Sequence, residues 1–122
     1  MDTFHQWLLK YGEFWEQKNI TGFITLFNEK ARYYWTPFSQ PLVGRDSIFQ
    51  EVTRAVSTQS EIKFEFTILS FDGITGLAHW KSEITRTISG RRFTIDGILK
   101  TEFDADGNCI EFREWWHSNE NE

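Results

Sequence analysis

The chain has 122 residues, with 18 acids against 13 lysines and arginines for a formal charge of −5, and it carries 12 Phe, 6 Trp and 3 Tyr. A compact chain of this size buries roughly two-thirds of the surface its unfolded form exposes, so one aromatic core needs no disulfide or metal staple and disorder is excluded. The acidic balance, broken only by short basic runs such as Arg91-Arg92, argues against a nucleic-acid binder, and the lack of any long apolar window argues against a membrane span.

In chain order, Phe4, Trp7, Leu8, Tyr11, Phe14 and Trp15 recur at three-and-four spacing, which predicts a one-faced helix over residues 4–18. Thr21 is the expected cap of a short second helix carrying Phe23, Leu26 and Phe27. Alternation over residues 31–36 predicts a short strand, ended by the loop Pro37-Phe38-Ser39-Gln40-Pro41. A third helix is expected from about Asp46 to Val56, with Ile48, Phe49, Val52 and Val56 on one side. From Glu61 the period changes to two. Ile62, Phe64, Phe66 and Ile68 alternate with polar residues, Asp72-Gly73 turns the chain, and further strands are expected over 77–88, 92–103 and 109–117. The turns between them are Gly90-Arg91 and Asp104-Ala105-Asp106-Gly107. Helices segregated from an antiparallel run give an α+β fold: a cone in which three N-terminal helices pack on the concave face of a strongly curved antiparallel sheet. No linker or repeat divides residues 1–122, so one domain is expected, with residues 118–122 as a frayed tail.

The two hairpins place side chains on faces. With Gly90 and Arg91 as the turn, Ser82 lies opposite Leu99, Ile84 opposite Gly97 and Arg86 opposite Ile95; the second hairpin then sets Leu99 against Phe112, Gly97 against Glu114 and Ile95 against Trp116. The row with Trp80, Ile84, Ile95, Leu99, Phe112 and Trp116 is the more apolar and should face the helices. The other row holds His79, Lys81, Glu83, Asp96, Lys100, Glu102, Glu111, Arg113 and His117, with Ile98 and Trp115 as its apolar members.

Glu114 therefore falls on the apolar row, facing a glycine that leaves room for something to approach the sheet. Two readings stay open for it. Desolvation would raise its pKa and make it a proton carrier at neutral pH; pairing with Arg86 would make it structural. Asp96 is a second candidate acid only if a bulge at Gly97 turns it inward. Trp35, Trp80 and Trp116 share the concave face with Tyr11 and either wall a pocket or fill it. The residues expected to line such a pocket are Trp35, Trp80, Ser82, Ile84, Arg86, Gly97, Leu99, Phe112 and Trp116. His5, His79 and His117 are too scattered in the predicted fold for a zinc site, so no metal is expected. Cys109 stands alone, without a base beside it, and suits a reducing compartment such as the cytoplasm.

The run Phe27-Asn28-Glu29-Lys30-Ala31, a Pro-containing loop and then Gly44-Arg45-Asp46-Ser47-Ile48 resembles the nuclear transport factor 2-like superfamily, closest to its SnoaL-like and ketosteroid-isomerase branches. The resemblance implies a cone open to a small, mostly apolar or aromatic molecule, no cofactor, and a homodimer through the convex sheet face. It implies an oxyanion-binding role for Tyr11, but the isomerase's two aspartate positions fall on Trp35 and Leu99, which speaks against ketosteroid isomerisation. An acid near the end of the last strand, as in SnoaL-type cyclases, would be Glu114, with His117 at the matching count. The expected chemistry is proton transfer of isomerase, dehydratase or cyclase type, with Glu114 as acid or base and Tyr11 as donor; the alternative is a non-catalytic binding or dimerisation module.

Overall fold

The computed structural model describes residues 3–121. Helix α1 (Thr3–Glu16) buries the predicted stripe Phe4, Trp7, Leu8 and Tyr11. The second helix, α2 (Ile20–Ile24), starts one residue earlier than its expected cap: the Asn19 side chain, not Thr21, accepts from the Gly22 N–H. Strand β1 (Phe27–Tyr34) leads through the short β2 (Leu42–Val43) to α3 (Arg45–Val56), which buries Ile48, Val52 and Val56. Four long strands follow: β3 (Gln59–Phe71), β4 (Thr75–Arg86), β5 (Arg92–Phe103) and β6 (Cys109–Ser118).

The six strands form one sheet in the order β2-β1-β6-β5-β4-β3. It is antiparallel except between β1 and β6, which run parallel and set Tyr33 beside Phe112. Register shifts lie between Ser60 and Lys63, Ile68 and Ser70, and Glu102 and Phe103. Each extra residue bends its strand and increases the local twist, so the sheet curls around α1 rather than lying flat. Rings close the space between: Trp7 meets Phe27, Phe103 and Phe112, and its indole N–H donates to the Leu26 carbonyl at 2.9 Å.

The predicted faces hold, but the predicted partners do not. Between β4 and β5 the loop begins at Thr87, with Gly90 at φ 72°, so Ser82 pairs with Ile95, Ile84 with Phe93 and Trp80 with Gly97. Across β5 and β6, Leu99 meets Glu114 and Gly97 meets Trp116. The first slip is by four residues on one strand and the second by two; both are even, which changes every neighbour while keeping every side chain on its side of the sheet.

Gly97 is the clearest consequence. It does not leave room for a ligand beside Glu114: a Cβ at this position would collide with the Trp115 carbonyl and lie 2.9 Å from Trp116 Cβ. Its missing side chain is occupied by the β6 backbone. Asp96 stays on the convex face because the pairing on both flanks runs through it and Gly97 with no bulge; its half-exposed carboxylate is 2.9 Å from His79 Nε2. The segment expected to fray is tied down as far as Glu120: Asn119 exchanges backbone and side-chain hydrogen bonds with Thr94, and Glu120 pairs with Arg86.

Gly97→Ala is expected to destabilise the fold by about 1–3 kcal/mol, the usual cost of forcing an extra carbon into a packed site, measured by urea denaturation. An unchanged midpoint would contradict the close approach of β6.

Candidate functional site

Glu114 projects from β6 to the concave side, two residues after the fully buried Phe112, and is itself 5% exposed. Among the described residues its one side-chain hydrogen bond is long and weak: the Tyr33 hydroxyl donates to Oε1 at 3.4 Å. Arg86 does not neutralise it. That guanidinium is held instead by Glu120, through Nε at 2.6 Å and Nη2 at 3.0 Å, and by Thr58 Oγ1 at 2.7 Å. Burial without a cation penalises the charged form, and the Glu114 carboxyl is pushed up to about 8, with the Tyr33 hydroxyl pulling weakly the other way.

Phe112 organises the two phenols around this acid. Tyr33 stacks on it at 4.6 Å between centroids and Tyr11 at 5.6 Å, both nearly parallel to it. Burial, and then the charge of Glu114, raise both tyrosines well above their ordinary value, so each stays a protonated donor. The arrangement is an acid, a phenol in contact with it, and a second phenol interacting with the first.

These groups form the buried end of a cavity of about 200 Å³. Its walls are apolar, from Trp15, Phe23, Trp35, Val52, Val56, Trp80, Phe93 and Ile95, with the buried Gln59 accepting from the Trp15 indole N–H; Arg86, Trp116, Ser118 and Glu120 line it where side chains reach solvent. Trp116 marks this rim, 40% exposed, with its indole N–H donating to the Trp35 carbonyl at 3.1 Å.

Of the residues picked out from the sequence, Glu114, Tyr11, Trp35, Trp80, Arg86 and Trp116 share this one cavity. Ser82, Ile84, Leu99 and Phe112 are fully buried on the same face but sit behind the lining, and Gly97 is covered by β6. Asp96 is on the other side of the sheet, which removes it as a partner for Glu114. Sequence reasoning missed Tyr33, although it lies two residues before Trp35 on the same strand and so shares its face. Glu120 was missed because it had been assigned to a frayed end.

The SnoaL-like domain family matches residues 8–112 of this chain. The chain belongs to this family. No curated protein matches it by sequence. Among solved structures, this SnoaL-like chain is similar to the epoxide hydrolase/cyclase-like enzyme SalBIII, described in pyran ring formation in the polyether salinomycin, with TM-score 0.80 and 15% identity over 93% of this chain and 89% of that one. It is similar to a Bacillus subtilis protein provisionally described as an isomerase, with TM-score 0.82 and 17% identity over 96% and 90%. A third is an NTF2-like protein of unknown function from Exiguobacterium sp. 255-15, with TM-score 0.74 and 21% identity over 91% and 98%. At these identities the likeness is one of fold, that of the NTF2-like cone. The family match ends two residues before Glu114, so the acid is a feature of this SnoaL-like chain read from its own geometry.

A raised folded-state pKa has a defined effect on stability. Between the ordinary value of 4.5 and about 8, the folded chain keeps a proton on Glu114 that the unfolded chain has lost. The contribution of Glu114 is therefore complete below 4.5 and lost as pH rises through 8, at about 1.4 kcal/mol per pH unit. Glu114→Gln carries no charge to desolvate. Thermal melts should show the variant close to wild type at pH 5 and increasingly more stable than wild type up to about pH 8, with the difference levelling off above it. A variant much less stable than wild type at neutral pH would mean that an ionised, paired Glu114 supports the fold.

Proposed function

We propose that the cavity binds a small apolar or aromatic molecule and that Glu114 moves a proton on it, in isomerase-, dehydratase- or cyclase-type chemistry drawn from side chains alone. The observation that carries this reading is a carboxyl buried at the end of a cavity, without a cation and held near neutrality in its titration. Tyr33 and Tyr11 are the donors for negative charge that develops on a substrate oxygen. The resemblance to the isomerase branch adds a supporting detail. One of its two aspartate positions falls on Leu99, and Leu99 is the cross-strand neighbour of Glu114, so a carboxyl comes close to the vacated position from the adjacent strand.

Size limits the ligand. A cavity of about 150 Å³ accommodates benzene, so about 200 Å³ suits a single ring with short substituents. In the protonated state Glu114 donates to a leaving or carbonyl oxygen; after that transfer, or once ionised, it abstracts a proton from carbon. The rival reading is a non-catalytic binding module, favoured by the bulk of Trp15, Trp35 and Trp80 along the walls. Solvent-deuterium incorporation into a small cyclic ketone, followed by NMR, separates the two. Wild type should accelerate exchange, and Glu114→Gln should lower the rate by about 100-fold or more while leaving ketone binding intact. Equal rates in the two proteins would leave the module as the better account.

We further propose a homodimer through the convex face, in the cytoplasm. Trp115 is 42% exposed on a face that no helix covers, beside half-buried Ile98, and surplus apolar surface of this kind calls for a partner. The surrounding charges include both signs, Lys81, Lys100 and Arg113 with Glu83, Asp96 and Glu111, which lets a second copy complement the first. Light scattering at micromolar concentration should report a dimer, and Trp115→Lys a monomer; a wild-type monomer would exclude the interface.

A further inference from the structure

Two charged side chains line the cavity besides Glu114, and they are bound to each other. Arg86 lies on β4 and Glu120 beyond the end of β6; their ion pair is bidentate, at 2.6 and 3.0 Å, and each side chain is about one-third exposed. The guanidinium is also fixed by groups other than Glu120. Its Nη1 donates to Thr58 Oγ1 at 2.7 Å, and its Cζ lies over the Phe93 ring, 4.7 Å from the centroid. Removing Glu120 would leave Arg86 oriented, with Nε and Nη2 presented as an empty fork.

Glu120 has fewer constraints. Its backbone N–H donates to Ser118 Oγ, and the tail is fastened one residue earlier by the Asn119–Thr94 pair. Rotation of the Glu120 side chain alone can vacate the fork while the backbone stays in place. The local field favours an anion there: Arg91 acts on the same carboxylate, in a protein whose net charge is negative.

We propose that the Arg86 fork is the seat of a carboxylate carried by the ligand, and that Glu120 occupies that seat in the unliganded chain. The ligand class is then a small aromatic or alicyclic carboxylic acid, with its ring among the tryptophans and its acid group at the rim. An arginine fork matches a carboxylate in two parallel hydrogen bonds, and the pairing with Glu120 shows that geometry in this chain. A ligand acid would exchange one carboxylate for another, so the guanidinium is paired in both the free and the liganded state, and the displaced Glu120 carboxylate, already about one-third exposed, turns to solvent. Repulsion from the acid at the far end is small, because burial without a cation favours the protonated form of Glu114. This inference rests on the reading of the cavity as a binding site and goes beyond it in naming the group that selects the ligand.

Phenylacetate and its neutral isostere phenylacetamide serve as probes, with binding followed by tryptophan fluorescence and calorimetry. Glu120→Gln removes a tethered competitor whose effective concentration is of millimolar order; it should tighten phenylacetate by about tenfold and leave phenylacetamide unchanged. Arg86→Gln should remove the preference for the acid while retaining amide binding, and Arg86→Lys, which keeps the charge but not the fork, should recover only part of it. Equal tightening of both probes in Glu120→Gln would make Glu120 a steric strap and overturn the proposal, as would no tightening of either. In both cases amide binding would still stand for the cavity. If neither probe binds any of the proteins, the binding-site reading falls together with this one.

Discussion

Desolvation of one carboxyl group is the constraint around which the concave face is arranged. Glu114 is surrounded by rings and, among the described residues, touches one hydroxyl at long range and no cation that would draw it back to its ordinary pKa. In a protein interior such a group is costly when ionised and harmless when protonated, so its environment selects the neutral acid over most of the physiological range. The phenols oppose this only weakly. The long hydrogen bond from Tyr33 lowers the cost of the charged form a little, and burial keeps both phenols from becoming charged themselves.

The geometry that makes this possible begins with sheet curvature. Bulges in β3 and β6 bend the strands, and Gly97 lets β6 pass close to β5 at Trp115 and Trp116. The parallel pairing of β1 with β6 then brings Tyr33 alongside Phe112, the plate on which both phenols stack. Removing any of these leaves Glu114 on the right face but without its neighbours. The opposite end of the cavity follows a different logic, with its charges paired and partly solvated, so the site runs from a neutral acid to an ion pair.

Side-chain periodicity made much of this visible in the sequence. A period of two assigns a face to every residue of β4, β5 and β6, which is why Glu114, Trp80 and Trp116 were placed on the concave side. Pairing register was less legible. It depends on loop length, and a four-residue loop after Arg86 looks much like a two-residue turn at Gly90-Arg91 when only the glycine is read. In the next hairpin, Phe103 pairs with Cys109 and a bulge follows at once, so the register there slips by two; that gave Glu114 the wrong neighbour, a glycine in place of Leu99, and gave Gly97 a role that the β6 backbone already fills. The β1–β6 contact was illegible for another reason. Parallel pairing joins residues about eighty positions apart and leaves no local signature, so Tyr33 could be assigned to a face but not to a partner. Arg86 was correctly placed on the cavity side, yet its partner lay in a polar tail whose composition alone suggests fraying.

The central claim is that Glu114 is a buried, uncompensated acid, and the most direct test reads that one group. Glutamate labelled with ¹³C at the side-chain carboxyl, with Glu114→Gln used to assign the resonance, gives its titration curve by NMR. The account predicts a midpoint of about 8, well separated from the other carboxyls. A midpoint near the ordinary 4.5 would show the group solvated or paired and would contradict it.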